Sequence, residues 1–77
     1  MPEPFSILQS RCVPLDATLR DDILARTGSD METTWIMRSI ERFGTDPTIL
    51  RYEISPKSSS RFGGLTAVAW SVRAVRS

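Results

Sequence analysis

The sequence predicts an α+β domain of order β-α-α-β-β, a three-stranded, mostly antiparallel sheet with two helices packed on one face. Three observations carry that reading. Apolar residues recur at helical spacing between 15 and 43, and they alternate with polar ones before and after that stretch. Gly28-Ser29 and Gly44 punctuate the helical part as a stop, a fresh start and a final stop. A polar run from Pro56 to Gly64 separates the last two alternating segments, as a hairpin connection does.

Residues 5–13 read as the first strand. Phe5, Ile7 and Val13 share one parity with Gln9 and Arg11, and Leu8 and Cys12 share the other. Pro14 has no N–H to give a ladder and ends the segment. The first helix spans 16–27, with Leu15, Leu19 and Ile23 four residues apart and Leu24 beside them. Asp16 or Thr18 supplies its cap, and Gly28 its left-handed stop. Ser29-x-x-Glu32 then forms a capping-box pattern that opens a second helix, 30–43. Its buried stripe is expected to be Met31, Trp35, Ile36, Ile40 and Phe43, with Arg38, Glu41 and Arg42 in water.

Residues 48–55 alternate again. Leu50, Tyr52 and Ile54 are expected to face the core; Arg51, Glu53 and Ser55 face away. Residues 56–64 are expected to form a mobile, basic hairpin loop. Residues 65–75 read as the last strand, with Thr66, Val68, Trp70, Val72 and Ala74 on one face. Leu65, Ala67, Ala69, Ser71, Arg73 and Val75 lie on the other. From 65 to 70 both faces are apolar, and helices on one side of a small sheet cannot hide both. A second molecule is expected to meet the outer face.

Seventy-seven residues support one domain, 1–77, with a flexible N-terminus at 1–4. A chain of this size buries only about 60% of its unfolded surface, so association adds useful burial. Cys12 is the one cysteine and there is no histidine. That excludes an internal disulfide, a Ser-His-Asp or Cys-His centre, and a structural zinc site of about four Cys or His ligands. Neither G-x-x-x-x-G-K-[ST] nor G-x-G-x-x-G occurs. No cofactor or metal is expected, and the chain does not read as an enzyme. Asp21 and Asp22 read as first-turn charges stabilised by the helix dipole. No apolar run approaches the 18 or so residues of a membrane span, and the acidic N-terminus lacks a secretory start. The expected location is the cytoplasm, where a lone thiol is stable.

Net charge is +1, unevenly placed. Residues 1–47 hold five Arg against eight carboxylates, a net −3. Residues 48–77 hold four Arg and Lys57 against Glu53, a net +4. The basic half suits an anionic partner. The leading expectation is a small non-catalytic protein-binding module, an assembly factor, linker or inhibitor of a larger protein or protein complex. It would bind through the outer face of strand 65–75 and the basic hairpin, with Arg51, Arg61, Trp70 and Arg73 as contacts. A homodimer is a further expected association.

A dimeric DNA-binding regulator is the alternative. Strand-helix-helix with Gly28-Ser29 between the helices, residues 5–43, resembles the ribbon-helix-helix repressors. The resemblance implies that paired strands enter the major groove, with Gln9 and Arg11 reading bases. Separately from it, Lys57 on the basic hairpin tip is a candidate contact to a phosphate backbone. A hairpin follows where that family's core unit is already complete. The whole element order also resembles a winged helix lacking its first helix, which implies helix 30–43 in the groove and 56–64 as the wing. Finally, Phe5, Cys12-Val13-Pro14 and Trp35 in this order of elements resemble the small cap linkers of phycobilisomes, without the Gly-Gly-Lys expected after the second helix. That likeness implies a small plug fitted into a larger assembly.

Overall fold

Alternate residues of three strands build one apolar sheet face, and two helices cover it in a computed structural model that describes residues 3–8, 17–44 and 46–77. The elements are β1 (Phe5–Leu8), α1 (Ala17–Thr27), α2 (Asp30–Arg42), β2 (Ile49–Phe62) and β3 (Leu65–Arg76). The strand order is β1-β2-β3 and both pairings are antiparallel. The β-α-α-β-β order and the α+β class are therefore as the sequence predicts. The continuation of the first strand over 9–13 lies outside the described residues.

The core is Ile7 from β1, Tyr52 and Ile54 from β2, Leu19 and Ile23 from α1, and Ile36 and Ile40 from α2, together with Ile49. Phe5, Trp70, Val72 and Ala74 pack around it. Each buried isoleucine contributes about 1.5–3 kcal/mol by leaving water. The helices are ordered like the strands beneath them. Arg26 of α1 lies over the Phe5 ring of β1 at 5.2 Å, whereas α2 packs on β3. Phe43, after α2, reaches the Tyr52 ring at 5.5 Å.

Four expectations need correction. The stripe of α2 is rotated: Glu32, Thr33, Ile36 and Ile40 are buried, while Met31 and Trp35 are exposed. The cause is the cap. Ser29 Oγ accepts the Glu32 N–H at 3.3 Å, but the Glu32 side chain does not close the box. Thr27 Oγ1 takes the Ser29 N–H instead at 3.4 Å, and the Glu32 carboxylate turns inward to Trp70. Thr33 fills the remaining core position because its hydroxyl is satisfied by the Ser29 carbonyl at 2.8 Å and by Thr27 Oγ1 at 2.9 Å.

Leu50 is also on the wrong side of the expected alternation. The register steps between Ile49 and Arg51, so Leu50 is the extra residue of a β-bulge. Ile49 turns into the core and Leu50 is 48% exposed. The bulge shifts the parity of everything before it by one.

The third correction concerns 56–64. No nine-residue loop exists: β2 runs on to Phe62, and Gly63-Gly64 alone turn the chain. Both glycines have positive φ, 54° and 89°, as a two-residue hairpin turn of the favoured twist requires. Beyond Ile54, β2 has lost its β1 neighbour, so residues 55–70 form a two-stranded ribbon. The molecule is accordingly long, 41 Å by 23 Å by 19 Å. Asp21 and Asp22 fall in the second turn of α1 rather than the first, and Asp22 pairs with Arg26 at 3.4 Å.

Candidate functional site

With both helices on one face, the other face of the sheet is open among the described residues. Strand alternation places Ser6 and Leu8 of β1 there, then Arg51, Glu53 and Ser55 of β2, then Leu65, Ala67, Ala69, Ser71, Arg73 and Val75 of β3. Leu8 and Leu65 are each 76% exposed. Two cross-strand rows define the centre of this face. One is Leu8–Arg51–Val75 and the other Ser6–Glu53–Arg73.

Arg51, Glu53 and Arg73 form one cluster. Arg73 donates to Glu53 Oε2 at 2.7 Å, and Arg51 to Glu53 Oε1 at 3.2 Å. The Arg73 hydrogen bond is the main reason that the Glu53 carboxyl sits below its usual value; partial desolvation opposes it. One carboxylate thus bridges two guanidinium groups and restrains side chains that would otherwise sample many rotamers. The exposed ion pairs add little to stability. Their effect is to fix the shape and charge of the surface. A second pair closes the far end of the sheet, where Arg76 Nε meets Asp46 at 3.1 Å. The Thr48 backbone N–H and hydroxyl hold the Asp46 carboxyl low as well, with Arg76 adding to them.

The structure brings Arg51 and Arg73 together but leaves the other two expected contacts apart from them. Trp70 lies on the helix-covered face, half-buried, its indole edge against Phe5 at 5.5 Å and its Nε1 on Glu32. Arg61 pairs with Thr66 after a second register step between Pro56 and Ser58. That step moves Arg61 to the face of Trp70, and at seven residues from Arg73 along β3 it is about 23 Å away. Lys57 is the bulged residue of that step, exposed on the ribbon. Gln9 and Arg11 lie outside the described residues. Glu53, the centre of the cluster, was not among the expected contacts. Its signal was present, since Arg51-x-Glu53 places opposite charges on one strand face.

No group of three or more metal-ligating side chains occurs among the described residues. No helix there is long and apolar enough to cross a membrane. Comparison with protein-family models, with curated proteins and with solved structures found no match.

Proposed function

We propose that this chain is a small non-catalytic protein-binding module, an assembly factor, linker or inhibitor of a larger complex, that docks through the open face of its sheet. One observation carries the reading: Ser6, exposed Leu8 and Val75 flank a preordered Arg51–Glu53–Arg73 cluster, and Ala69 and Leu65 extend the same helix-free face along β3. An open sheet face suits a protein partner better than a small molecule, since small-molecule sites are concave. Arginine is enriched in protein interfaces and here is held in place before contact, which lowers the entropic cost of binding. Nucleic acid is less well served. Phosphate binding needs uncompensated cations, and Glu53 cancels one of the two guanidinium charges on this face.

The test is quantitative affinity capture with immobilised wild type, Arg73→Glu, Ala69→Lys and, as a control on the helix side, Arg38→Ala. A protein captured by wild type and Arg38→Ala, and reduced at least tenfold with both outer-face variants, is the expected result. Equal capture by all four proteins overturns the reading.

A further inference from the structure

Two features outside the open face await a partner, and one occupant satisfies both. The first is the second edge of β3. Ser77 N–H donates to the Thr48 carbonyl of β2 at 3.0 Å. Backbone groups of a strand point alternately to its two neighbours. Ser77 therefore sets the phase: odd residues of β3 bond β2, and the even residues from Thr66 to Arg76 turn N–H and C=O outward. The tight Phe62–Leu65 turn gives the same phase, because the pair closing a two-residue hairpin is hydrogen-bonded. Among the described residues nothing pairs with those outward groups. Native edges are blunted by shortness, charge, proline or bulges. β3 is twelve residues long, carries no charge or proline from Leu65 to Val72, and both bulges lie on β2.

The second feature is on α2, the helix that packs on β3. Asp30 and Thr34 face α1 through Arg20, at 3.6 and 3.2 Å. Met31 and Trp35, one turn apart and about 100° round the helix from Asp30 and Thr34 on the side of Glu32, are 49% and 46% exposed. Since α1 meets α2 on the Asp30–Thr34 side and the neighbouring Glu32 reaches Trp70 of β3, that flank looks out past the free edge of β3.

We infer that β3 pairs antiparallel with β3 of a second copy, making a six-stranded sheet on which the two α2 helices meet through Met31 and Trp35. A foreign strand added to this edge would cover the backbone groups and leave Met31 and Trp35 in water. A second copy covers both, because its own α2 arrives with its β3. The contact is isologous, so it closes as a dimer and does not propagate. Glu32 bonded to Trp70, and Phe43 beside Tyr52, whose β3 neighbour is Ala74, show that α2 runs alongside β3 from Trp70 toward Ala74. Trp35 then sits near Ser71, and a twofold axis at Ser71 sets each Trp35 against its symmetry mate. This register joins Thr66 to Arg76, Val68 to Ala74 and Trp70 to Val72 of the second copy, all outward-facing residues. It sets Arg73 opposite Ala69, and the two Arg73 residues stay about 13 Å apart along the strands. No like charges meet. The open faces of both copies remain free, so the dimer neither requires nor forbids the docking proposed above.

Sedimentation velocity between 1 and 100 µM tests this, with the chain mass of 8.6 kDa as the monomer reference. Wild type is expected at twice that mass at the upper concentrations. Trp35→Ala and Val68→Pro are each expected to raise the dissociation constant at least tenfold; the proline removes an outward N–H and no bond to β2. Arg51→Glu, which probes the open face from β2 one strand away from the seam, is expected to leave dimerisation unchanged. In a Cys12→Ser background, Ser71→Cys is expected to form an intermolecular disulfide on mild oxidation. Facing residues of a non-hydrogen-bonded pair lie about 4.5 Å apart between Cα atoms, within disulfide reach. Ser55→Cys, one strand away, is expected not to. The inference is overturned by a wild type that stays monomeric at 100 µM, by a dimer unaffected by Trp35→Ala and Val68→Pro, or by equal cross-linking at 71 and 55.

Discussion

The indole Nε1 of Trp70 donates to the Glu32 carboxylate across 2.7 Å, and this one bond ties the first turn of α2 to the middle of β3. Glu32 is buried, so its side-chain oxygens depend on that donor for a hydrogen-bond partner. Trp70→Phe keeps the apolar ring but leaves the carboxylate without the indole. The expected loss is about 1–3 kcal/mol of unfolding free energy, read from urea denaturation. Glu32→Gln keeps an acceptor oxygen and should lose less than Trp70→Phe. A larger loss for Glu32→Gln than for Trp70→Phe would mean that the charge, and not the indole hydrogen bond, matters.

The bulge at Leu50 makes a prediction opposite to simple alternation. Ile49→Ala removes a buried side chain and should cost about 2–4 kcal/mol. Leu50→Ala, two-fifths of the way into a strand pattern that points inward on paper, should cost under about 1 kcal/mol. Denaturation of the two variants side by side decides which residue the core contains.

Both turn glycines have positive φ. Gly64→Val puts a β-branched side chain at φ 89° and should destabilise the hairpin by about 1–2 kcal/mol. Gly63→Asn, at φ 54°, should be tolerated because asparagine enters the left-handed region readily. Amide hydrogen exchange along 58–69 is the readout: faster exchange is expected for Gly64→Val alone.

Glu53 and Asp46 both titrate low in the folded chain. A carboxyl whose folded pKa is depressed contributes stability above its unfolded pKa and loses it as pH falls through the folded value. Stability should therefore decline as pH drops below the ordinary Glu value of 4.5. Carboxyl-carbon NMR should show Glu53 titrating below that value in wild type. Arg73→Ala, which removes the largest cause of the depression, should move the midpoint up toward it.

The element order was legible because periodicity changes cleanly from two to helical and back, and because Gly28, Ser29 and Gly44 mark the joins. What escaped were the places where one residue shifts a whole pattern. Leu50 and Lys57 are single insertions in β2, and periodicity carries no sign of either until the strand is paired. The long hairpin escaped for a different reason. Pro56 and three serines read as a loop, whereas Gly63-Gly64 already offered a two-residue turn for a strand running to Phe62. The orientation of α2 escaped because the capping-box pattern assigned Glu32 to the backbone, and only the fold brings Trp70 within its reach.

Part of the candidate site was legible as well. Arg51 and Arg73 were readable from strand parity, and their meeting at Glu53 follows once the register is known. Arg61 could not be separated from them on paper, since the bulge at Lys57 was invisible, whereas strand parity already set Trp70 on the opposite face from Arg73.

Site-specific photo-cross-linking tests the proposed function most directly. A benzophenone side chain at position 69, on the open face four residues along β3 from Arg73, and one at position 38, on the exposed side of α2, are compared in cells of the source organism. A heterologous protein cross-linked from 69 and not from 38, and lost with Arg73→Glu, is the expected result. Cross-links from 69 to nucleic acid, or the same protein caught equally from both positions, would contradict a protein-binding face on this sheet.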